Sequence, residues 1–335
     1  MIKPVKKNQS RIAIIGAGIA GLNLARLLSD VADVVVFEKS DKLGGRIATH
    51  HANDFSFDHG AQFFTAKNPA FKCFVNTLES LGVVAQWNAR FVELEPKGIN
   101  SQRTWGDEFP HYVGTPAMNS IGQHMANNVD VRFNQLITAI KRIDTSWFVE
   151  TTESEFGPFD WVVLTAPAEQ ARAILPETVC PTINLQDVSM QPCFALMLGY
   201  KTPHLFDWDA AFVSNSILSW VSVNSSKPKR GDHFTIVAMS TNEWAKTNFD
   251  QSESSVIEAM LNALADIGDK TLADADYIKL KRWKYANAFR QEPVLEMIDE
   301  SSQLACCGDW CISGRIESAF MSSLTLAKKI EDLIV

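Results

Sequence analysis

The N-terminal part of the chain carries a short apolar run, a helical repeat of apolar residues and a second apolar run. Residues 11–15 (RIAII) form the first run and precede glycines, and apolar positions then recur at helical spacing from Leu22 to Leu28. Residues 34–37 form the second run, which ends at Glu38. The order strand, turn, helix, strand is typical of the units that build a parallel sheet.

Further apolar runs predict strands in the middle of the chain and a helix at its end. Residues 159–165 (FDWVVLT) predict a fully buried strand that Pro167 ends. Between about 194 and 289, β-rich segments alternate with turn residues and predict an antiparallel sheet, with a helix at about 253–267 inserted in it. Residues 317–333 predict a closing helix.

Three glycines after the first predicted strand have the spacing of a dinucleotide-binding turn. Gly16 permits a tight turn, Gly18 lets backbone approach a pyrophosphate, and Gly21 lets the helix pack closely on the strand. Glu38 is placed to accept hydrogen bonds from ribose hydroxyls, and its charge disfavours a 2′-phosphate. A glycine-rich turn beside a surface Glu is the alternative, but the strand and helix context favours dinucleotide binding.

A second glycine pair favours FAD over NAD. Gly44, Gly45 and Arg46 follow Glu38 closely in EKSDKLGGR. The pair lets the backbone pass close to the cofactor again, and Arg46 can place a guanidinium near the pyrophosphate or the flavin. A nicotinamide dehydrogenase has no need of this feature, so we expect FAD.

These motifs, in this order, resemble the FAD-dependent amine oxidase superfamily. Residues 57–65 (FDHGAQFFT) narrow the resemblance to the renalase family, and residues 307–319 (CGDWCISGRIESA) resemble the closing motif of these flavoproteins. The resemblance covers both ends strongly and the middle loosely, with residues 282–286 (RWKYA) as the best match between them. Ser313 and Ser318 depart from the pattern, because glycine or small residues are commoner there.

The resemblance implies cofactor-binding residues beyond the glycine motifs. It assigns Gln62 and Phe63 to the flavin ring environment, Asp309 to the ribityl chain, backbone around Ile316 to flavin N1 and O2, and Ile137 to adenine. The full predicted set, with Ala20 and Arg46 at the phosphates, is Gly16, Gly18, Ala20, Gly21, Glu38, Lys39, Gly44, Gly45, Arg46, Gly60, Ala61, Gln62, Phe63, Ile137, Ala166, Asp309 and Ile316.

The implied fold class is α/β, with a Rossmann-type FAD-binding domain and an inserted antiparallel-sheet substrate domain. This is an architecture like that of p-hydroxybenzoate hydroxylase. We expect residues 1–70, 110–170 and 300–335 to form the discontinuous FAD-binding domain. Residues 71–109 and 171–299 then form the substrate domain.

Composition limits the partners and the location. The net charge of −8 argues against a nucleic-acid partner, and the first ten residues contain no apolar run of a secretory signal. The apolar run from Ile12 is too short for a membrane span. Six cysteines without a regular framework fit a reducing compartment. We therefore expect a cytoplasmic protein with a small-molecule substrate and no membrane span, and the oligomeric state stays open.

The resemblance to renalases implies oxidation of dihydronicotinamide isomers, the 2- or 6-dihydro forms of NAD(P), to NAD(P)+. Hydride moves to flavin N5 and the product gains aromaticity, so no strong general base is required. Dioxygen or another acceptor must then take the electrons. The candidate catalytic residues are Gln62, Trp220, Trp283 and Tyr285, the aromatic ones as stacking walls, although each is equally compatible with an ordinary core aromatic.

Two other functions stay open at this point. One is a flavin amine oxidase or desaturase, which would benefit from a lysine near N5, and Lys284 is the only lysine inside a family-like motif. The other is an FAD-binding protein without turnover. Cys306, Cys307 and Cys311 fit small buried thiols better than a covalent flavin link, so we expect non-covalent FAD. No second Cys or His pair at ligand spacing accompanies them, so we expect no metal.

Overall fold

The computed structural model describes residues 9–96, 98–176, 185–186, 188–202, 204, 206–267, 272, 274–289 and 297–334. The chain divides into two compact units. The first unit consists of Met1–Gly45, Gly122–Met190 and Ala288–Val335, and the second consists of Arg46–Ile121 and Gln191–Asn287.

The described α-helices are α1 (Ile19–Leu28), α2 (Pro69–Ser80), α3 (Ser120–Met125), α4 (Ala168–Ile174), α5 (Asn242–Asn248), α6 (Glu253–Ile267) and α7 (Ile316–Ile334). The described strands are β1 (Arg11–Ile15), β2 (Asp33–Phe37), β3 (Thr49–Ala52), β4 (Phe55–Asp58), β5 (Val84–Gln86), β6 (Arg90–Glu95), β7 (Gly98–Thr104), β8 (Tyr112–Gly114), β9 (Asp130–Arg132), β10 (Ala139–Ile143), β11 (Ser146–Glu150), β12 (Glu155–Phe159), β13 (Trp161–Leu164), β14 (Met190–Tyr200), β15 (Ala210–Val213), β16 (Leu218–Val223), β17 (Phe234–Ser240), β18 (Tyr277–Ala288), β19 (Met297–Asp299) and β20 (Leu304–Cys306).

The first unit is built on a six-stranded sheet with the strand order β19-β20-β13-β1-β2-β9. Strands β9, β2, β1, β13 and β20 pair in parallel, and β19 pairs antiparallel to β20. Ile14, Val36, Val163 and Ala305 are fully buried in this sheet. Parallel strands covered on both faces need apolar side chains on both sides, which explains the continuous apolar runs in the sequence.

The predicted strand, turn, helix, strand unit is confirmed as β1, α1 and β2. The strand predicted at 159–165 is wrong at its start, because β12 ends at Phe159 and β13 begins at Trp161. Between them, Asp160 bonds to Arg11 through its backbone N–H (2.8 Å) and its carboxylate (2.7 Å), which breaks the run. The closing helix α7 exceeds its predicted range by one residue at each end.

The second unit is built on a seven-stranded sheet with the order β18-β14-β17-β16-β15-β6-β7. The pairs β14/β17, β17/β16 and β16/β15 are antiparallel, as predicted. The pair β6/β7, outside the predicted region, is also antiparallel, whereas β15 and β6 are parallel. Helix α6 has the predicted bounds and places Val256, Met260 and Leu264 in the core with Phe194 and Leu196. These helical residues recur every four positions and therefore share one face.

Residues 46–70 belong to the second unit in this division, although the sequence places them in the FAD-binding domain. They include the β3/β4 hairpin, whose Phe55 and Phe57 pack against Met197 and Val237. These contacts join positions far apart in sequence, which no local pattern reports. The domain bounds given above stay a prediction.

Candidate functional site

The turn between β1 and α1 has a geometry that only glycine allows at two positions. Gly16 has φ +117°, and its N–H donates to the Phe37 carbonyl at 2.9 Å. A Cβ on Gly21 would lie 2.0 Å from the Gly16 carbonyl oxygen, so a side chain there would push α1 away from the turn. Thr165 supports the turn by donating from Oγ1 to the carbonyls of Ile15 and Gly16, both at 3.0 Å.

Gly18 lies beside open space at the start of α1. It is the N-cap of the helix, with φ −80° and ψ −176°, and a Cβ on it would meet no protein atom within 4 Å. N–H groups in the first turn of a helix have no intrahelical acceptor and favour anions. Ala20 and Gly21 belong to this first turn. The turn therefore fits the pyrophosphate of FAD.

Glu38 is buried at the end of β2 and held by three hydrogen bonds. Oε2 accepts from Ala17 N at 3.0 Å, and Oε1 accepts from Ser40 N at 3.0 Å and from Ser40 Oγ at 2.8 Å. A carboxylate has about four acceptor positions, so one on Oε2 stays available for a ribose hydroxyl. The neighbouring candidate Lys39 is bonded to another side chain, because its Nζ donates to Gln170 Oε1 at 3.2 Å.

The second glycine pair lies directly against the first turn. Gly44 N donates to the Ala17 carbonyl at 2.9 Å, and Gly45 has φ +57° with a virtual Cβ 3.4 Å from Gly18 Cα. Gly122 in α3 packs on the pair, and a Cβ there would lie 2.9 Å from Gly44 Cα. Sequence reasoning missed Gly122, because no short motif contains it.

Two further cofactor candidates of the first unit lie in loops, Ile137 between β9 and β10 and Ala166 between β13 and α4. Ile137 is buried, and nearby Gln135 donates its N–H to the Glu38 carbonyl at 2.9 Å, which places this segment beside the ribose-binding candidate. The Ala166 carbonyl accepts from Trp310 Nε1 at 3.1 Å.

The predicted cofactor residues of the closing motif lie at the start of a 3-10 helix and at the start of α7. Asp309 is buried and begins a short 3-10 helix, and its carbonyl accepts from Gly314 N at 2.9 Å. Ile316 begins α7. The two departures from the family pattern bond to each other, since Ser313 Oγ and Ser318 Oγ are 2.9 Å apart. The pair fixes the loop that leads into α7.

The three cysteines of the closing segment are buried free thiols. Burial raises the pKa of Cys311 to about 12 and raises the pKa values of Cys306 and Cys307 well above the ordinary range. The thiolate is the nucleophile, so these groups are unreactive at neutral pH. This supports the expectation that FAD is held without a covalent bond.

The segment 58–63 of the second unit is held against Arg46. Ala61 N donates to the Arg46 carbonyl at 2.9 Å, and a Cβ on Gly60 would lie 1.9 Å from the same oxygen. The Arg46 guanidinium donates to the Ala286 carbonyl at 3.1 Å. The segment that the resemblance assigns to the flavin ring is thus held by the backbone of Arg46.

Gln62 is buried, and four bonds occupy its side-chain amide. Nε2 donates to the carbonyls of Asp58 (2.5 Å) and Gly60 (3.0 Å), and Oε1 accepts from Ser222 Oγ (2.9 Å) and Lys227 Nζ (3.3 Å). An amide side chain offers two donors and two acceptor positions. Gln62 therefore has no donor or acceptor position left in this arrangement, and its catalytic role stays a prediction.

A buried ion-pair cluster lies behind this segment. Asp58 Oδ2 is 3.1 Å from Lys227 Nζ and 2.6 Å from Arg230 Nη2, and the side chains of Asp58 and Lys227 are 0% exposed. Burial raises the pKa of Asp58, but the two cations outweigh burial and lower it to about 2. Burial lowers the pKa of Lys227 to about 8, against the pull of Asp58. Sequence reasoning missed this cluster.

The aromatic candidates of the second unit lie in two groups. Phe63 and Trp220 have ring centroids 5.3 Å apart, and His111 stacks on Trp105 at 3.7 Å. Burial lowers the pKa of His111, which favours the neutral ring. Phe63, His111 and Trp220 are half-buried, so parts of their surfaces stay open to a ligand.

Trp283 and Tyr285 lie on β18, which two strands, β14 and β17, separate from the β16 strand of Trp220 in the sheet order. Trp283 stacks on His59 with centroids 5.4 Å apart and donates from Nε1 to its carbonyl at 2.8 Å. Lys284 Nζ lies 5.5 Å from the Tyr285 ring centroid. The structure thus places Trp220 beside Phe63 and places Trp283 beside His59, and the substrate-binding roles stay a prediction.

Two models of known protein families match this chain. The model of the NAD(P)-binding Rossmann-like domain matches residues 14–78, and that of the flavin-containing amine oxidoreductases matches residues 99–330. The chain belongs to the flavin-containing amine oxidoreductase family. It is an FAD-dependent oxidoreductase of the amine oxidase superfamily, with the α/β fold predicted above.

Individual relatives of this family member match over the whole chain. Renalase of Mus musculus is 22% identical, over 97% of this chain and 100% of its own length. A candidate protoporphyrinogen oxidase of Exiguobacterium sp. 255-15 superposes with TM-score 0.78 at 13% identity, covering 96% of this chain and 98% of its own. Cyclohexylamine oxidase of Brevibacterium oxydans IH-35A gives TM-score 0.73 at 13% identity, covering 96% and 100%. The two structural likenesses show the shared fold.

The described residues of this amine oxidoreductase hold neither a helical membrane span nor a metal-binding cluster. None of its described helices is both long and apolar enough to cross a membrane. The same residues contain no group of three or more His, Cys, Asp or Glu side chains placed to hold a metal ion.

The buried carboxylate of Asp58 predicts an acid-sensitive fold. Its pKa falls from an ordinary 3.8 to about 2 on folding, so its contribution is complete above pH 4 and is lost as the pH falls towards 2. The difference corresponds to about 2 kcal/mol of unfolding free energy. Urea unfolding of the apoprotein between pH 5 and 2 measures it, and Asp58→Asn is expected to remove this part of the pH dependence. An unchanged slope in the variant would contradict the assignment.

Proposed function

We propose that this flavoenzyme oxidises dihydronicotinamide isomers, the 2- or 6-dihydro forms of NAD(P), to the aromatic dinucleotide. Residues 14–78 and 99–330 match the Rossmann-like and flavin-containing amine oxidoreductase models, which make FAD the cofactor. FAD, when bound, accepts a hydride equivalent at N5 and later passes the electrons to dioxygen or another acceptor. The match to mouse renalase along the full length of both chains supports this choice within the family.

The observation that carries the proposal is the character of the segment 58–63. The carboxylate of Asp58 and the amide of Gln62 are bonded within the protein, whereas the half-buried ring of Phe63 lies beside Trp220. The segment therefore offers the aromatic surface of Phe63, while the carboxylate of Asp58 is engaged by the two cations. A planar ring that becomes aromatic by losing hydride needs stacking and orientation, and needs no proton acceptor.

The cofactor roles are proposed on the geometry of the first unit. The turn at Gly18 and the first turn of α1 bind the pyrophosphate, Glu38 binds the ribose, and the segment at Ile137 contacts adenine. Buried Asp309 holds the ribityl chain at the start of its 3-10 helix. The N-terminus of α7 at Ile316 favours the negative charge that reduction leaves near N1.

A second candidate is oxidation of a small amine, which the fold shared with cyclohexylamine oxidase supports. A lysine with a free ammonium near the flavin would favour this reaction. Lys227 is the lysine of the buried ion-pair cluster, and its ammonium is bonded to Asp58, Gln62 and Asn224. This engagement makes the amine reaction the less favoured of the two.

The deciding experiment is anaerobic reduction of the purified holoenzyme followed by visible flavin absorbance. Dihydronicotinamide isomers made by borohydride reduction of NAD+ are expected to bleach the flavin within seconds at micromolar concentration. Ordinary NADH is the matched control and is expected to react at least about a hundredfold more slowly, a difference of about 3 kcal/mol in activation free energy. Bleaching by cyclohexylamine and not by the isomers would replace the proposal with the amine reaction.

A further inference from the structure

We propose that Lys227 and Arg230 are positioning residues that hold the segment 60–63 in its flavin-binding geometry, acting through Asp58 and Gln62. The inference rests on the proposed contact of this segment with the flavin ring. Neither Lys227 nor Arg230 is among the site residues predicted from the sequence.

The three protons of Lys227 meet three acceptors. Its ammonium donates to Asp58 Oδ2 at 3.1 Å, to Gln62 Oε1 at 3.3 Å and to Asn224 Oδ1 at 3.1 Å. Lys227 follows the 3-10 turn Asn224–Ser226, which continues from β16. Burying an ammonium group costs free energy unless each of its protons is hydrogen-bonded. The three acceptors must therefore keep their positions around Nζ.

The chemistry of its partners fixes the orientation of the Gln62 amide. The carbonyls of Asp58 and Gly60 only accept hydrogen bonds, and the Lys227 ammonium only donates. A flipped amide would direct its NH2 group at the ammonium and its oxygen at two carbonyls. Lys227 therefore selects the orientation that ties Gln62 back to Gly60 and defines the turn before Phe63.

Arg230 holds the same carboxylate from another side. Its Nη2 donates to Asp58 Oδ2 at 2.6 Å, and its Nη1 donates to the carbonyls of Gly114 (2.9 Å), Pro116 (2.6 Å) and Pro228 (3.0 Å). The guanidinium thus links the β8 strand end to the start of the segment. With Asp58 between two cations, the cluster carries a net charge of one positive unit.

Lys227→Met in the holoenzyme tests the proposal, with Lys229→Met as the matched control, because Lys229 is exposed two positions away. FAD affinity is expected to fall by about tenfold or more in Lys227→Met, an effect typical of losing a residue that orients a ligand contact. Loss of positive charge is also expected to shift the flavin midpoint potential to a more negative value. Lys229→Met is expected to match the wild type in both measurements.

A double-mutant cycle with Gln62→Leu tests the route of the effect. If Lys227 acts through Gln62, FAD affinity in the double variant is expected to equal that of Gln62→Leu alone. Ser222→Ala removes one bond to Gln62 Oε1 and leaves no charge unpaired, so it provides the test should Lys227→Met fail to fold. It is expected to lower FAD affinity and alter the flavin absorption bands.

Wild-type FAD affinity, potential and spectrum in folded Lys227→Met, or in Ser222→Ala if the former fails to fold, would overturn the proposal. Additive effects of Lys227→Met and Gln62→Leu would overturn it as well. These measurements are independent of which reductant bleaches the flavin. A failed substrate panel with weakened FAD binding in the variants would reject the proposed function and leave the positioning role standing.

Discussion

Gly18→Ala is expected to leave the apoprotein folded and to weaken FAD binding by roughly one to two powers of ten. A Cβ at this position meets no protein atom within 4 Å, and its φ of −80° suits alanine. The methyl group would instead occupy the space that we assign to the pyrophosphate. Overfilling a close contact costs about 1–3 kcal/mol, and 1.4 kcal/mol is a factor of ten in affinity. FAD titration of the apoprotein measures the change.

Two further glycines make the test of Gly18 specific. Gly106→Ala also adds a methyl group in open space and is expected to keep both the melting temperature and FAD affinity. Gly21→Ala places its Cβ 2.0 Å from the Gly16 carbonyl oxygen, so it is expected to lower apoprotein stability itself. Wild-type FAD affinity in Gly18→Ala would place the pyrophosphate elsewhere.

Asp58→Asn is expected to lower the free energy of unfolding at pH 7 by about 3–5 kcal/mol. The substitution keeps the size of the side chain and removes the negative charge between Lys227 and Arg230, which are 0% and 2% exposed. Removing one partner of a buried ion pair leaves an uncompensated charge, which accounts for a loss of this size. Urea denaturation of the apoprotein at neutral pH measures it.

Asp33→Asn is the matched control for the buried carboxylate. Asp33 pairs with Arg11 at 3.1 Å, but its side chain is 56% exposed. Exposed ion pairs contribute at most about 1 kcal/mol, so the control is expected to stay close to the wild type. Equal effects of the two substitutions would show that burial of the Asp58 cluster adds nothing to stability.

Local patterns in the sequence predicted the fold where contacts are local or motif-based. The bounds of α6 followed from its helical pattern, and two short apolar runs with a helical repeat between them predicted the β1, α1, β2 unit. The β6/β7 hairpin and the packing of β3/β4 in the second unit were not predicted. Strand β7 has no buried residue, so it lacks the alternation that marks a half-buried strand.

Most of the predicted residues of the candidate site belong to short sequence motifs. The glycines, Glu38 and the closing segment came from spacing and resemblance. The ion-pair cluster joins Asp58 to Lys227 across 169 positions, and Thr165 reaches the glycine turn across about as many. The position of Gln62 in the motif does not reveal its four internal hydrogen bonds. Contacts of this kind join residues that are far apart in the sequence, and a single sequence does not show which of them become neighbours in the fold.

The close contact between Gly44 and Gly122 couples α3 to the second glycine pair. A side chain at Gly122 would need the space that the Gly44 backbone occupies, since a Cβ on Gly122 would lie 2.9 Å from Gly44 Cα. Drift in α3 is therefore restricted by a loop nearly eighty positions earlier. A chain that carries a larger residue at position 122 must therefore move α3 away from the second glycine pair.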